Sequence, residues 1–303
     1  MGGSEAARRL LFVHAHPDDE TLWTGPTMAR YAAEGAHVTL VTCTLGEEGE
    51  VIPPGLRHLA SDRDDALGPY RRGELEAAMA ALGVSDHRLL ADGRWRDSGM
   101  AWVEPGVAGA VPGPAHPDAF VSAPTAAAAA ELAAVMRDIR PQVVVTYDPY
   151  GGYGHPDHIK THEITTAAVK LVASDTRNSD AFPMTMYWVR QPRSWADAEL
   201  AAVMDDSVRP ASMLPPPADA PYPSVVVDDD VVTTVVDGSA YLDRVRAALR
   251  AHATQVRVEG DWVALSNGEG FPLSGCDAFQ RVGAPRGLTW TGDLFSVTDG
   301  HGR

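Results

Sequence analysis

Cysteine is nearly absent from this 303-residue chain, which has only Cys43 and Cys276. Two cysteines are too few for a disulfide framework or for a zinc site built from thiolates. Any bound metal must therefore take nitrogen and oxygen ligands.

Basic residues are few relative to acidic ones. The chain has 25 lysines and arginines and 41 aspartates and glutamates, which gives a formal net charge of -16. This charge repels nucleic acids and anionic membrane surfaces, so we expect neither as a partner. A neutral or cationic small molecule, or a metal ion, is compatible with it.

Long apolar runs are missing too. No segment approaches ~20 uninterrupted apolar residues, and the N-terminal segment MGGSEAARRLLFV has too short an apolar stretch for a signal peptide. We therefore expect a cytoplasmic protein. The chain is 45% hydrophobic, which excludes disorder throughout and allows one large domain with or without a smaller second one.

Apolar runs and helical patterns alternate along the first half of the chain. The predicted strands are 10–13, 37–42, 87–90 and 142–147, and the predicted helices are 21–34, 72–82 and 126–139. This alternation predicts an α/β fold with a Rossmann-like, mostly parallel sheet and helices on both of its faces.

The second half has a different pattern. Residues 103–124 are rich in glycine, proline and alanine, which predicts an exposed loop or flap. From about residue 178 the predicted strands are 184–189, 224–227 and 231–236, with one helix at 240–251. We therefore predict a Rossmann-like domain over 1–177 and a smaller C-terminal α+β domain over 178–303 that contributes to the substrate cleft.

Two histidine-rich motifs follow predicted strands, HAHPDDE at 14–20 and GGYGHPDHIKTH at 151–162. The three adjacent acids of the first motif repel one another and lose solvation when covered, so a compensating cation is expected there. Ligands of an open parallel sheet bind beyond the carboxyl ends of its strands, where both motifs lie. Together the motifs predict a divalent metal site in a catalytic first domain.

The predicted metal ligands are His16, Asp19 and His158. Pro17 can begin a helix, so His16 and Asp19 point to one side of its first turn. Two imidazoles and one carboxylate leave a position for water, as in catalytic zinc sites. Asp18 is then free to take a proton from that water, although a charge that complements the helix dipole explains it equally well.

The second motif supplies further candidates. We expect His155 to donate a proton to a leaving group, Asp157 to orient His155 and raise its pKa, and Tyr153 to hydrogen-bond a developing oxyanion. His162 is expected to be structural. A third His-Pro-Asp sequence, at 116–118, has no strand before it and is interpreted as part of the loop.

The segments AHPDDE at 15–20 and GHPDH at 154–158 resemble the motifs of LmbE-like or PIG-L zinc-dependent deacetylases, which remove N-acetyl groups from glucosamine-containing substrates. The resemblance covers most of the chain. It implies zinc on His16, Asp19 and His158, Asp18 as general base, and Tyr153 and His155 as transition-state stabiliser and acid.

Other segments resemble the branch of this family that acts in mycothiol biosynthesis on N-acetylglucosaminyl-inositol, namely TCTLGEEGE at 42–50, YRRGEL at 70–75, GRWRDSGM at 93–100 and AHATQ at 251–255. This resemblance implies that Arg71, Asp97 and Glu50 hold substrate hydroxyls, and a polyol does need arginine and carboxylate partners. The sister branch of mycothiol S-conjugate amidases typically has a lysine shortly after Asp-Asp-Glu, where this chain reads TLWT.

Alternatives from other classes stay open. Fe(II) oxygenases also use two histidines and one carboxylate, although Asp18, Tyr153 and His155 fit hydrolysis better. A non-catalytic sugar-binding protein would have no use for a base beside an open metal position. The native metal (zinc, with Fe(II) as the alternative), the oligomeric state, and the choice of Asp18 or His155 as proton donor to the amine are not decided by the sequence.

Overall fold

Strands and helices alternate along the chain in the computed structural model, which describes residues 7–174, 182–217 and 220–296. The strands are β1 (Arg9–His14), β2 (His37–Thr42), β3 (Asp86–Leu89), β4 (Ala101–Glu104), β5 (Val107–Gly109), β6 (Val143–Thr146), β7 (Thr185–Pro192), β8 (Val226–Val227), β9 (Thr234–Asp237), β10 (Arg257–Glu259), β11 (Trp262–Ala264), β12 (Gly270–Pro272) and β13 (Cys276–Arg281). The helices are α1 (Asp19–Ala33), α2 (Leu67–Leu82), α3 (Thr125–Ile139), α4 (Gly151–Gly154), α5 (Pro156–Ala173), α6 (Arg193–Met204) and α7 (Leu242–Ala251). None of the described helices is long and apolar enough to cross a bilayer.

The main sheet runs, within the described residues, in the order β3-β2-β1-β6-β7-β13-β9, with β8 paired to β7. Neighbouring strands from β3 to β7 are parallel, whereas β13 is antiparallel to both β7 and β9. This mostly parallel sheet confirms the predicted fold class. The strand order reverses between β1 and β6, which is the point where open sheets of this kind bind ligands.

Strand β1 is buried on both faces, which explains its uninterrupted apolar sequence. Leu10 and Phe12 share a core with residues of α1, α2 and α7, whereas Leu11 and Val13 share a second core with residues of α3 and α5. All four side chains are fully buried, and each contributes about 2 kcal/mol to the stability of the fold. Helices therefore cover both sides of the strand that carries the first motif.

Helix ends in the first half follow the expected signals. Helix α2 stops at Gly83, which has a left-handed φ of 82°, and α3 stops at Arg140, directly before Pro141. In the second half the prediction of a single helix is wrong, because α6 precedes α7 there.

The C-terminal part of the chain is built into the main sheet through β7, β9 and β13, while β10, β11 and β12 form an antiparallel sheet of their own. The strand predicted at 231–236 is shorter than expected, since Asp229–Val231 forms a 3-10 helix. The boundary predicted at 177–178 lies outside the described residues, and the division into two domains stays a prediction.

The segment predicted as an exposed loop, 103–124, contains ordered structure. Strands β4 and β5 form a hairpin, and the 3-10 helix Phe120–Ser122 buries Phe120 completely, so the prediction is wrong for these parts. Gly154 allows the hairpin to lie close to the second motif. A Cβ atom at this position would be 2.5 Å from the carbonyl oxygen of Ala108, and the φ of Gly154 is +96°. The hairpin backbone therefore packs directly against the second motif.

Candidate active site

The two motifs meet beyond the carboxyl ends of the paired strands β1 and β6, as predicted. In the first motif α1 begins at Asp19, so the predicted helix start at Pro17 is wrong; Asp18 has φ +104°, which no right-handed helix allows. The resulting turn still joins the two predicted ligands, because Nδ1 of His16 lies 3.2 Å from Oδ2 of Asp19.

Asp18 has a strained main chain, with φ +104° and ψ −36°. Such conformations cost about 1–3 kcal/mol and concentrate at active sites. Hydrogen bonds to the amide and to the carbonyl of Asp18 stabilise this conformation. The Asp18 amide donates to Oε2 of Glu20 at 3.0 Å, and the Asp18 carbonyl accepts from the amides of Thr21 and Leu22 at 3.0 and 2.9 Å.

His158 presents a free nitrogen lone pair to the site. Its Nδ1 lies 3.1 Å from the carbonyl oxygen of Gly151 and must donate to it, so in the neutral ring the lone pair is on Nε2. That Nε2 atom is buried and accepts no hydrogen bond from the described residues, because its neighbour at 3.3 Å, Oδ2 of Asp19, is a carboxylate oxygen without a proton. A buried imidazole nitrogen of this kind is the donor that a divalent metal requires.

His155 has the opposite arrangement. It caps the N-terminus of α5, where its Nδ1 accepts a hydrogen bond from the amide of Asp157 at 3.1 Å. In a neutral imidazole the proton then resides on Nε2, so His155 faces the site as a hydrogen-bond donor. Pro156 occupies the first position of the helix, where its missing N–H costs nothing.

His16 lies among carboxylates. Its Nε2 is 3.3 Å from Oδ2 of Asp157 and 3.5 Å from Oδ1 of Asp97, while Asp19 faces its Nδ1. Oδ2 of Asp19 is also 3.3 Å from Nε2 of His158, so the three predicted ligands are contiguous. A carboxylate on the second nitrogen of a metal-bound histidine is the usual way to orient such a ligand.

Two groups of three side chains each bring one potential ligand atom within 4.8 Å of one another, among the residues described. They are His16 with His155 and His158, and His16 with Asp97 and Asp157. Asp19 is in neither group, although it contacts His16 and His158. Imidazole nitrogens and carboxylate oxygens suit zinc or Fe(II), so these residues fit a divalent metal.

Opposite charges compensate one another in this buried cluster. Burial works to lower the pKa of His16, but the surrounding carboxylates raise it well above its usual value. Burial works to raise the pKa of Asp19, but the two histidines hold it well below its usual range. The pKa of Asp97 is lowered in the same way against burial, chiefly by His16.

The carboxyl group of Asp18 titrates closer to neutrality than an ordinary aspartate. Burial, and secondarily Asp19, raise its pKa to about 6, against the opposing effect of the Arg71 guanidinium. Nη2 of Arg71 lies 3.1 Å from Oδ2 of Asp18. A carboxylate with a pKa near 6 is a stronger base than a solvent-exposed one and is still ionised at neutral pH.

The three predicted substrate-binding residues line one cleft but differ in their contacts. Arg71 is buried and donates to the carbonyl oxygens of Gly46 and Pro17 as well as to Asp18, which fixes the first motif. Asp97 accepts from the amide of Gly99 at 2.8 Å beside His16. Glu50 is exposed at the cleft surface.

Tyr153 projects from α4 among aromatic rings. It lies parallel to Trp23 at a centroid distance of 6.3 Å and is tilted by 34° against Trp102 of the hairpin at 6.1 Å. His155 and His158 pack edge-on against it, at 6.2 and 5.0 Å. Burial raises the pKa of its hydroxyl, so Tyr153 enters the site as a neutral phenol that can donate a hydrogen bond.

Asp157 orients His155 through its main-chain amide, as expected, but the expectation that it raises the pKa of His155 is wrong. The carboxylate of Asp157 contacts His16 and the amide and hydroxyl of Ser98, and only its main-chain amide reaches His155. Burial and the neighbouring His16 and His158 lower the pKa of His155 well below its usual value. Asp157 therefore orients His16.

Two further histidines of the sequence interpretation, His162 and His116, lie away from the cleft. His162 bonds the carbonyl oxygen of Tyr147 at 3.0 Å through Nδ1 and lies against Trp188, which is a structural arrangement. His116 is exposed and contacts the amide of Asp118 in its own turn. Neither residue lines the cleft.

The cleft has a volume of about 970 Å³ and extends from the histidine cluster to the C-terminal part of the chain. One wall is polar and carries the two motifs, Arg71 and Asp97. Residues from α6 and the small C-terminal sheet form another wall, including Trp195, Leu265 and Phe271. It is large enough for a two-ring sugar derivative.

Several supporting residues have no assigned role in the sequence interpretation. Trp23 Nε1 donates to Oδ1 of Asp19 at 3.2 Å, Ser98 holds Asp157, and the ring of Tyr147 stacks on His158 at 4.2 Å. Trp23 falls four residues after Asp19 on α1, so helical spacing is a signal that could have found it. Ser98 and Tyr147 reach the site only through tertiary folding.

Comparison with known proteins agrees with this site. Residues 11–169 match the PIG-L family, described as GlcNAc-PI de-N-acetylase. A 1D-myo-inositol 2-acetamido-2-deoxy-alpha-D-glucopyranoside deacetylase from Streptomyces griseus is 50% identical over 308 residues, covering 98% of this chain and 92% of the relative.

Solved structures share the fold. A deacetylase–teicoplanin complex from teicoplanin biosynthesis is 19% identical, with a TM-score of 0.51 over 91% of this chain and 99% of that chain. GalB, the 4-carboxy-2-hydroxymuconate hydratase of Pseudomonas putida KT2440, is 17% identical, with a TM-score of 0.51 over 92% and 97%. One fold thus serves a deacetylase and a hydratase, so the structural likeness alone does not define the reaction. The family match and the 50% identity do define the family, and the chain belongs to the PIG-L de-N-acetylases.

Proposed function

We propose that this protein is a metal-dependent deacetylase that hydrolyses the acetamide of N-acetylglucosaminyl-inositol to glucosaminyl-inositol and acetate, a step of mycothiol biosynthesis. The observation that carries the reaction type is the difference between two neighbouring histidines. His158 offers a lone pair and His155 offers a hydrogen bond, beside the raised pKa of Asp18. The substrate follows from the similarity to deacetylases named for it.

The metal is held by His16, Asp19 and His158, with zinc as the native ion and Fe(II) as the alternative. When bound, such an ion lowers the pKa of a water molecule and polarises the acetyl carbonyl. The carboxylate of Asp157 accepts a hydrogen bond from Nε2 of His16, and the indole N–H of Trp23 donates a hydrogen bond to Asp19. These contacts hold the ligands in place without joining the reaction.

Asp18 is the general base. Its carboxylate removes a proton from the attacking water, and the Arg71 contact keeps it ionised although it is buried. The strained turn places Asp18 beside the ligand Asp19 without making it a ligand.

His155 and Tyr153 act on the other side of the amide. The Nε2 proton of His155 and the Tyr153 hydroxyl donate hydrogen bonds to the oxygen that becomes negatively charged. The proton that the departing amine needs is the one that Asp18 takes from water in the first step, because His155 is a neutral imidazole that donates a hydrogen bond and keeps its proton.

Arg71, Asp97 and Glu50 remain the residues proposed to hold substrate hydroxyls, with the C-terminal part of the chain forming the opposite wall of the cleft. A polyol without net charge is compatible with the formal charge of -16. A cytoplasmic location stays a prediction.

The decisive experiment measures release of free primary amine from N-acetylglucosaminyl-inositol by the zinc-loaded protein, beside a mycothiol S-conjugate. Fast release from the first and slow release from the second is the expected result. The reverse preference would make the protein an amidase of the same chemistry. Sugar affinity without release would indicate a binding protein, and oxygen consumption with Fe(II), ascorbate and a 2-oxo acid would indicate an oxygenase.

A further inference from the structure

A buried pair of side chains lies beneath the first motif. Oε1 of Glu20 is 2.8 Å from Nε2 of His252, and both residues are fully buried. His252 directly follows the last residue of α7, 232 positions further along the chain. A carboxylate without solvent is costly unless a counter-charge or hydrogen bonds compensate it, so this contact is a built feature of the fold.

The Glu20 carboxylate connects His252 to the proposed base. Its Oε1 also accepts the hydroxyl of Thr21 at 2.6 Å, while its Oε2 accepts the amide of Asp18 at 3.0 Å. That amide belongs to the residue with φ +104°, which a chain adopts only when its surroundings hold it there. Glu20 is one of the groups that do so.

Charge balance favours this arrangement. Burial works to lower the pKa of His252, but the Glu20 carboxylate raises it above its usual value. The imidazole thus compensates a buried carboxylate in a region where Asp18 and Asp19 already place negative charge.

We propose that His252 is a positioning residue, which acts through Glu20 to fix the strained main chain of Asp18 and so to aim its carboxylate. This inference rests on the proposed function. Without the imidazole, Glu20 is left buried without its partner, and the turn relaxes toward an unstrained conformation. A shift of about 1 Å in a catalytic group costs on the order of 100-fold in rate.

The test compares His252→Gln with the wild-type enzyme, both loaded with zinc, on N-acetylglucosaminyl-inositol. We expect kcat to fall about 10- to 100-fold, KM to change less than about twofold, and zinc content to stay the same. Glu20→Gln, which keeps the shape of the side chain, should reproduce the loss. It also serves if His252→Gln fails to fold.

A double substitution tests the route through Asp18. In an Asp18→Ala background, His252→Gln should cause no further loss of residual activity, because the group that it aims is gone. An equal further loss would overturn the inference, since His252 would then act on something else.

Thr254→Val is the matched control. Thr254 lies on the same segment, and its buried hydroxyl and amide bind the carboxylate of Glu74 at 2.6 and 2.9 Å. Its loss should lower the melting temperature and leave kcat unchanged. A kcat loss in Thr254→Val equal to that in His252→Gln, or an unchanged kcat in folded, zinc-loaded His252→Gln, would overturn the positioning role. A wild-type enzyme that releases no amine would overturn the proposed function, and the positioning role with it.

Discussion

At the scale of single residues, His155 and His158 differ in the main-chain group that contacts Nδ1 of each ring. Nδ1 of His158 donates a hydrogen bond to a main-chain carbonyl, whereas Nδ1 of His155 accepts a hydrogen bond from a main-chain amide. The same side chain is thus prepared as a metal ligand in one position and as a hydrogen-bond donor three residues earlier.

This difference predicts opposite results for two alanine variants. His158→Ala should lose bound zinc and all activity, whereas His155→Ala should keep zinc and lose about 100- to 1,000-fold in kcat, as expected when one hydrogen-bond donor to the oxyanion is removed. Zinc stoichiometry after dialysis, measured beside kcat, decides between them. His162→Ala, which removes a histidine outside the cleft, is the control and should keep both. Zinc loss in His155→Ala would show that His155 is a ligand instead.

A second prediction concerns Asp18. Asp18→Ala should retain zinc and lose about 100- to 10,000-fold in kcat, because only the base is removed. In the wild type, kcat/KM should rise with pH through about 6, where the carboxyl group loses its proton and becomes competent as a base. A pH profile of the wild type and the metal content of the variant test both parts. Activity near the wild-type level in Asp18→Ala would contradict the assignment.

The sequence was sufficient to predict the residues of the two motifs as a group, because both follow parallel strands, and the pairing of β1 with β6 brings the two carboxyl ends together. It did not reveal that the carboxylate of Asp157 contacts His16 while only its main-chain amide binds His155, since the direction of this side chain depends on the cap of α5. Ser98 escaped prediction because its contact with Asp157 spans 59 positions in the chain.

At the scale of elements, α1 is joined to β13 by a buried carboxylate. Oδ2 of Asp277 accepts from the amide of Thr27 at 2.9 Å and from its hydroxyl. Burial raises the pKa of Asp277 to about 7, against the effect of these hydrogen bonds.

This carboxyl group predicts a pH-dependent stability. Between about pH 4 and 7 the folded protein keeps a proton that the unfolded chain has released, so its contribution to the free energy of unfolding falls as pH rises through this window. The loss is on the order of 4 kcal/mol at most, and it is complete above pH 7. Asp277→Asn, which cannot ionise, should therefore gain stability relative to the wild type as pH rises from 4 to 7.

Urea unfolding at pH 4, 5.5, 7 and 8 measures this difference. Asp62→Asn changes an exposed carboxylate in the same way and should show no trend of comparable size. A constant difference between Asp277→Asn and the wild type across the four pH values would contradict the prediction.

Elements were predictable where local signals coincide. Helix α2 has a glycine at its end, and α3 is followed by Pro141. Helix α6 has good helix formers, ADAELAAVM, without glycine or proline, and this composition was the signal that could have identified it. Strand β13 has no such signal, because CDAFQR becomes a strand only by pairing with β7 and β9.

At the scale of the whole molecule, the site gathers carboxylates in a protein whose formal charge is already -16. Asp19, Asp97 and Asp157 are all buried around His16. An ion that binds the folded chain and not the unfolded one stabilises it by about 2.7 kcal/mol at 100 times its dissociation constant. Metal binding and folding stability are therefore coupled.

This coupling predicts that a strong chelator abolishes activity and lowers the melting temperature by about 5 °C, and that zinc restores both. Differential scanning calorimetry with and without added zinc measures the shift. His158→Ala is the matched control, because its melting temperature should not respond to the metal. A melting temperature of the wild type that is independent of zinc would separate stability from metal binding.

The order of strands in the main sheet was not predictable from the sequence. Parallel pairing of β1 with β2 and β6 follows from the alternation of strands and helices. The insertion of β13 between β7 and β9 does not, since it joins residues separated by most of the C-terminal part of the chain.

The contact between Glu20 and His252 also has a consequence for biosynthesis on the ribosome. At about 5–20 residues per second, the 232 positions between them take roughly 12 to 46 s to translate. During that interval the nascent chain has its first motif but neither α7 nor the imidazole that closes over Glu20. The proposed metal ligands are therefore all present once His158 has been synthesised, whereas the residue that aims the base follows only much later in translation.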